Sequence, residues 1–133
     1  MHNSSDYLID THCWLWWHIE PDRLANRTIE LIENAETVIF FSVASAWEIV
    51  IKYNLKKLRL PLPPSLYITK RLEISYMDVI PVHLAHVLQV EKLPDYHKDP
   101  FDRLLIAQAV TENLTVITCD HQFRQYDIEI MDG

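Results

Sequence analysis

The sequence predicts a single α/β domain spanning residues 1–133, built on a mainly parallel sheet. Three observations predict it. Short runs rich in β-branched and aromatic residues alternate with stretches of helical spacing, the pattern of β–α–β units. No internal repeat, low-complexity tract or linker interrupts the alternation. Hydrophobic residues make up 49% of the 133, enough for one packed core, and a domain this long buries about two thirds of its unfolded surface.

The elements run in order along the chain. Tyr7–Asp10 reads as a short buried strand. Leu24, Thr28, Leu31, Ile32 and Ala35 recur at helical spacing. Val38–Phe41 is a second strand, and residues 43–56 form a helix after it. Pro61, Pro63 and Pro64 mark a loop. A helix over 65–74, a weaker strand Met77–Val82 and helices over 83–91 and 101–113 come next. Leu114–Thr118 is a fourth strand, and Ile128–Met131 fits an edge strand. Trp14, Trp16 and Trp17 crowd one short segment. On a helix, residue 16 points about 160° away from residue 14, so one large ring should lie at or near the surface. A bent, non-helical segment is the alternative.

Composition excludes several functions. The one glycine is Gly133, so a P-loop, a G-x-G-x-x-G turn and a G-x-S-x-G elbow all lack their backbone. No stretch approaches the ~20 apolar residues of a membrane helix. The start, MHNSSDYLID, has neither the basic nor the long apolar region of a signal peptide, so an intracellular, cytoplasmic protein is expected. Cys13 and Cys119 are too few and too far apart for a disulfide framework. Net charge is −7, which is not the balance of a default nucleic-acid binder. Yet no acid lies between Glu48 and Glu73, where Lys52, Lys56, Lys57, Arg59, Lys70 and Arg71 all fall. That stretch could hold a phosphate backbone, or be a solvated face.

The acids follow the strands. Asp10 closes the first, Glu48 lies in the helix after the second, and Asp120 follows the fourth. Asp99 and Asp102 flank the start of the last long helix. Ligands of open parallel sheets bind beyond the carboxyl ends of the strands. Each acid also has a local alternative. Asp99-Pro100 looks like an N-cap with proline at the first helical position. Ser45 with Glu48 could form a capping box. Asp10 and Asp120 could each cap a helix that starts just after them. Four acids in one cleft repel unless a cation is present, and oxygen ligands suit a hard ion such as Mg²⁺ or Mn²⁺. His12, His18, His97 and His121 stand near the acids but lack zinc-ligand spacing.

LIDTHCWLWW, SVASAWEIVIKYNLKKLRLPLP and LPDYHKDPFDRLLIAQAVTENLTVITCDHQF together resemble PIN-domain toxins of the VapC type, in the family's order and over nearly the whole chain. The HKDPFDRLLIAQA segment is the most specific piece. The resemblance implies a three-layer α/β/α sandwich and a ribonuclease using Mg²⁺ or Mn²⁺. It also implies a cognate antitoxin, and it favours a homodimer, with residues 14–17 in the dimer or antitoxin contact. The family's four acids match Asp10, Glu48, Asp102 and Asp120, with Asp99 as an alternative to Asp102; its small hydroxyl residue matches Thr11. Where the family commonly has glycine in a G-K-L turn, this chain has Lys56-Lys57-Leu58.

The expected reaction is hydrolysis of an RNA phosphodiester. Asp10, Asp102 and Asp120 would hold the metal, which lowers the pKa of a bound water. Glu48 would ligate through water or orient the nucleophile. Thr11, Lys52, Lys56 and Arg59 would contact the substrate, the basic residues by positioning the backbone rather than reading bases. The competing reading is a non-catalytic module that uses the fold only to bind RNA or a protein. A receiver-type domain with a nucleophilic Asp fits worse, because Asp10-Thr11-His12 offers no second acid.

Overall fold

The computed structural model describes residues 6–133. Five strands form one sheet: β1 (Asp6–Ile9), β2 (Val38–Ser42), β3 (Asp78–Ile80), β4 (Thr115–Thr118) and β5 (Ile130–Asp132). All four pairings are parallel, in the order β3-β2-β1-β4-β5. β5 is an edge strand, as the sequence predicts, and β3 is the other edge. Six α-helices accompany them: α1 (Thr11–Ile19), α2 (Asn26–Glu33), α3 (Val43–Asn54), α4 (Pro64–Ser75), α5 (Leu84–Val90) and α6 (Pro100–Glu112).

Alternate residues of the central strands face opposite ways, as strand geometry requires. Ile9, Ile39, Phe41 and Ile117 pack with Trp14, Ile32, Ile49 and Ile68 on one face. Leu8 and Val116 pack with Leu105, Ile106, Ala109 and Phe123 on the other. The sheet thus lies between two helical layers, and the α/β/α sandwich is borne out. No helix among the described residues is long and apolar enough to cross a membrane.

Element boundaries shift for local reasons. The helix expected from Leu24 starts at Asn26, because Pro21–Arg23 forms a 3₁₀ turn and Leu24 is extended. α3 stops at Asn54 rather than continuing to 56. Its end is a Schellman turn. Lys56 N donates to Tyr53 O, and Lys57 N donates to Lys52 O at 2.9 Å. Lys56 takes the left-handed φ of 61° that such a turn demands, at the position where glycine would do so without steric cost. The capping box that was the local alternative for Ser45 and Glu48 is not formed. Ser42 caps α3 by accepting from Ala44 N, and Ser45 lies inside the first turn.

α1 is helical, yet all three tryptophans reach one core, Trp16 and Trp17 only in part. Trp14 is fully buried against Phe41, while Trp16 and Trp17 are half-buried. The Arg23 guanidinium lies 4.9 Å over the Trp16 ring and covers part of it.

Candidate metal centre

The strand order places the site. β2 and β3 add outward on one side of β1, and β4 and β5 on the other. The order reverses between β1 and β4, and in open parallel sheets ligands bind beyond the carboxyl ends of the strands at such a point. Asp10 leaves β1 there, and Asp120 follows β4 after Cys119.

Each acid doubles as a local cap or partner, which fixes its orientation. Asp10 Oδ1 accepts from Cys13 N at 2.7 Å at the start of α1. Asp10 is buried, and burial raises its pKa, opposed by hydrogen bonds from Thr118 and Cys13. Asp120 Oδ1 accepts from Gln122 N at 2.9 Å, capping a 3₁₀ turn. Asp99 Oδ1 accepts from Asp102 N at 3.0 Å with Pro100 at the first helical position, so Asp99 is the N-cap of α6. Cap and cluster are therefore not alternatives for Asp10 and Asp120. The backbone cap occupies Oδ1 of each carboxylate, and Asp120 keeps Oδ2 for His97, 3.0 Å away.

Glu48, in the second turn of α3, is 1% exposed. Its Oε2 accepts from Lys52 Nζ at 2.6 Å, and its Oε1 is buried without a hydrogen-bond partner among the described residues. Asp102, in the first turn of α6, has its carboxyl pushed up to about 8. Burial is the main cause, and the charges of Asp99, Glu48, Asp10 and Asp120 add to it. The charges of the other three acids matched from sequence therefore all reach Asp102. A buried, unpartnered carboxylate oxygen among like charges is costly without a cation, and an all-oxygen set suits a hard divalent ion.

The remaining expected site residues separate. Thr11 is buried, and its hydroxyl donates to Ser45 Oγ at 2.8 Å, tying the first turn of α1 to α3. Lys52 is half-buried and held by Glu48, so it belongs to the acid cluster more than to the basic stretch. Lys56, Lys57 and Arg59 are exposed, and Lys56 and Arg59 line an open cavity with Tyr53, Asn54, Leu58 and Leu60.

Two residues belong to the site that sequence reasoning did not assign to it. His97 Nε2 lies 2.9 Å from Asp102 Oδ2 and 3.0 Å from Asp120 Oδ2. The three form a group whose ligand atoms all lie within 4.8 Å of one another. Arg103 holds the preceding loop, donating to the carbonyls of Val90, Leu93, Pro94 and His97 and to the Tyr126 hydroxyl. The signal for Arg103 was its place one residue after Asp102 in DPFDR. Cys13 and Cys119 are free thiols with their sulfurs 3.8 Å apart, and burial pushes both thiols up, which leaves them poor ligands and nucleophiles.

With this geometry established, comparison with known proteins is specific. Residues 7–129 match the PIN domain family. Ribonuclease VapC22 of Mycobacterium tuberculosis is 24% identical over 120 residues, covering 90% of each chain. A chain in the crystal structure of VapBC2 from Rickettsia felis, bound to a DNA fragment from its promoter, superposes with a TM-score of 0.72. That match has 16% identity and covers 95% of this chain and 97% of that one. A toxin-antitoxin complex from Klebsiella pneumoniae contains a chain with a TM-score of 0.62, 14% identity and coverage of 95% and 96%. At these identities the structural likeness establishes the fold alone.

Proposed function

The chain belongs to the PIN-domain family, and from that premise we propose that it is a divalent-metal-dependent endoribonuclease, the toxin of a toxin–antitoxin pair. One observation carries the reading. Asp10, Glu48, Asp102 and Asp120 come from four separate segments, yet the Asp102 carboxyl, pushed up first by burial, also feels the charges of the other three. Nothing in the fold itself requires this meeting of like charges, which is destabilising without a cation.

Asp10, Asp102 and Asp120 would hold Mg²⁺ or Mn²⁺, with Glu48 Oε1 aimed at the ion or its water. The ion supplies acidity to a bound water and neutralises charge on a phosphodiester. The chain's own residues do the rest. The Cys13, Asp102 and Gln122 amides hold Asp10, Asp99 and Asp120 in fixed rotamers. Lys52 holds Glu48, and Thr11 joins α1 to α3 through Ser45. Lys56 and Arg59 lie exposed beside an open cavity, suited to phosphates of an RNA strand. Asp102 is the metal ligand in this reading, and Asp99 is its cap.

A relative named as a ribonuclease and a structural neighbour described as a toxin-antitoxin complex support RNA as substrate and an antitoxin as partner. The chain then acts in the cytoplasm as a homodimer, with Trp16 and Trp17 in the dimer or antitoxin contact. The decisive test is cleavage of a single-stranded RNA with Mn²⁺, Mg²⁺ or a chelator, followed by analysis of the ends. Products with 5′-phosphates that form only with metal are expected. No cleavage together with no stoichiometric Mn²⁺ binding by calorimetry would favour a non-catalytic module.

A further inference from the structure

His97 reaches the acid cluster from the loop between α5 and α6. Its Nε2 stands almost equally far from Asp102 Oδ2 and Asp120 Oδ2, at 2.9 and 3.0 Å. Two chemistries give such spacing. The nitrogen can be a third ligand of a shared ion, because neighbouring ligands of an octahedral ion lie roughly 3 Å apart. Alternatively, an N–H can bridge two carboxylates.

The other side of the ring separates the two. Nδ1 lies 3.3 Å from the backbone N of Asp99, which can only donate. A donor aimed at Nδ1 requires a lone pair there, so the neutral ring carries its proton on Nε2. A protonated Nε2 can donate, but it has no lone pair to offer an ion.

We propose that His97 is a positioning residue of the metal centre, which braces Asp102 and Asp120 by sharing its Nε2 proton between them and does not itself bind the ion. The inference rests on the metal-dependent function proposed for the acid cluster. The surroundings hold the ring still. His97 is 8% exposed, and its edge lies against Phe123 with centroids 5.8 Å apart. Its backbone N donates to the Tyr126 hydroxyl at 2.9 Å, and that hydroxyl donates to Pro94 O at 2.8 Å. Arg103 accounts for the His97 carbonyl. Asp102 sits at the start of α6 and Asp120 beyond β4, so no backbone element sets the gap between their carboxylates. Charge repulsion would splay them. One N–H on a fixed ring keeps both oxygens within reach of a common ion.

The test uses the full chain and Mn²⁺. In the metal-free protein, long-range ¹H–¹⁵N spectra of the imidazole should show the Nε2–H tautomer; the Nδ1–H tautomer overturns the proposal. Electron spin-echo spectra of the Mn²⁺-loaded protein should show no directly bound ¹⁴N, and a strong ¹⁴N coupling would make His97 a ligand instead. By calorimetry, His97→Ala should weaken Mn²⁺ binding about 10–100-fold. His97→Gln, which carries an N–H at similar reach, should recover most of that loss. Wild-type affinity in a folded His97→Ala protein also overturns the brace. If His97→Ala does not fold, the two spectra of the wild type decide. A wild type that binds no Mn²⁺ overturns the metal reading itself, before His97 is altered.

Discussion

Lys52 Nζ lies 2.6 Å from Glu48 Oε2, one helical turn away, while Glu48 Oε1 is buried without a partner among the described residues. A cation that neutralises half of a buried carboxylate leaves the other half for a second positive charge. Lys52→Met should therefore act on the reacting centre. We expect kcat to fall about tenfold or more with KM nearly unchanged. Changing Lys56, Lys57 and Arg59 together to Ala should do the reverse, raising KM and flattening the salt dependence of RNA binding, because fewer counterions are released. Steady-state kinetics at several salt concentrations separate the two. The assignment is wrong if both variants shift the same parameter.

Asp102→Asn should abolish cleavage and stabilise the metal-free protein. An acid whose pKa is raised on folding from 3.8 to about 8 opposes folding increasingly as pH rises between those values. The amide removes that effect. In chelator at pH 7.5 the variant's Tm should exceed the wild type's by several degrees, since about 1 kcal/mol moves Tm roughly 4 °C at this size. Saturating Mn²⁺ should reverse the order by stabilising only the wild type. A variant that melts lower than wild type in chelator would contradict the crowding.

Asp99 caps α6 through a single oxygen, 3.0 Å from Asp102 N. Serine caps about as well, so Asp99→Ser should retain most activity and lie within about 0.5 kcal/mol of wild-type stability. Asp99→Ala should cost about 1 kcal/mol and still cleave. Denaturant melts and turnover of the two variants decide; a dead but stable Asp99→Ser protein would make Asp99 the ligand.

His18 gives the fold an acid limit. Its ring packs 4.5 Å from both Trp14 and Trp17, and its Nε2 is buried without a partner among the described residues. Burial, with the Arg71 charge, lowers its pKa from 6.5 to about 4. The unfolded chain then binds a proton between pH 6.5 and 4 that the folded one refuses, so stability falls as pH drops through that window. His18→Phe should flatten the loss. Melting temperatures from about pH 7 to 4.5 test this, and parallel curves for variant and wild type would sink it.

Legibility in the sequence tracked locality. The places of Asp10 and Asp120 beyond strands, and of Asp102 in the first turn of α6, were readable because strand ends and caps are written in adjacent residues. The α/β alternation was readable because β-branched runs and helical spacing are local signals. The capping-box alternative at Ser45 failed because Ser42, the strand's last residue, was free to cap first. His97 was not assigned, because its role depends on tertiary bonds that no spacing encodes, and Arg103, although it follows Asp102 directly, shows its reach to Val90 and Tyr126 only in the fold. The left-handed Lys56 was likewise invisible, since lysine carries no turn signature of its own.

The strand order also bears on when such a chain becomes active. β1 pairs with β4 across most of the length of the sequence, and Asp120 stands beyond that pairing. Asp10 and Glu48 leave the ribosome early, but their partners Asp102 and Asp120 are made late. Pairing at such separation forms late, after the loop-closure entropy has been met. A nascent or truncated chain that stops before α6 would carry half the acids and no reactivity. If the acids cut RNA as proposed, that arrangement would keep a partly synthesised copy from cutting the message that encodes it.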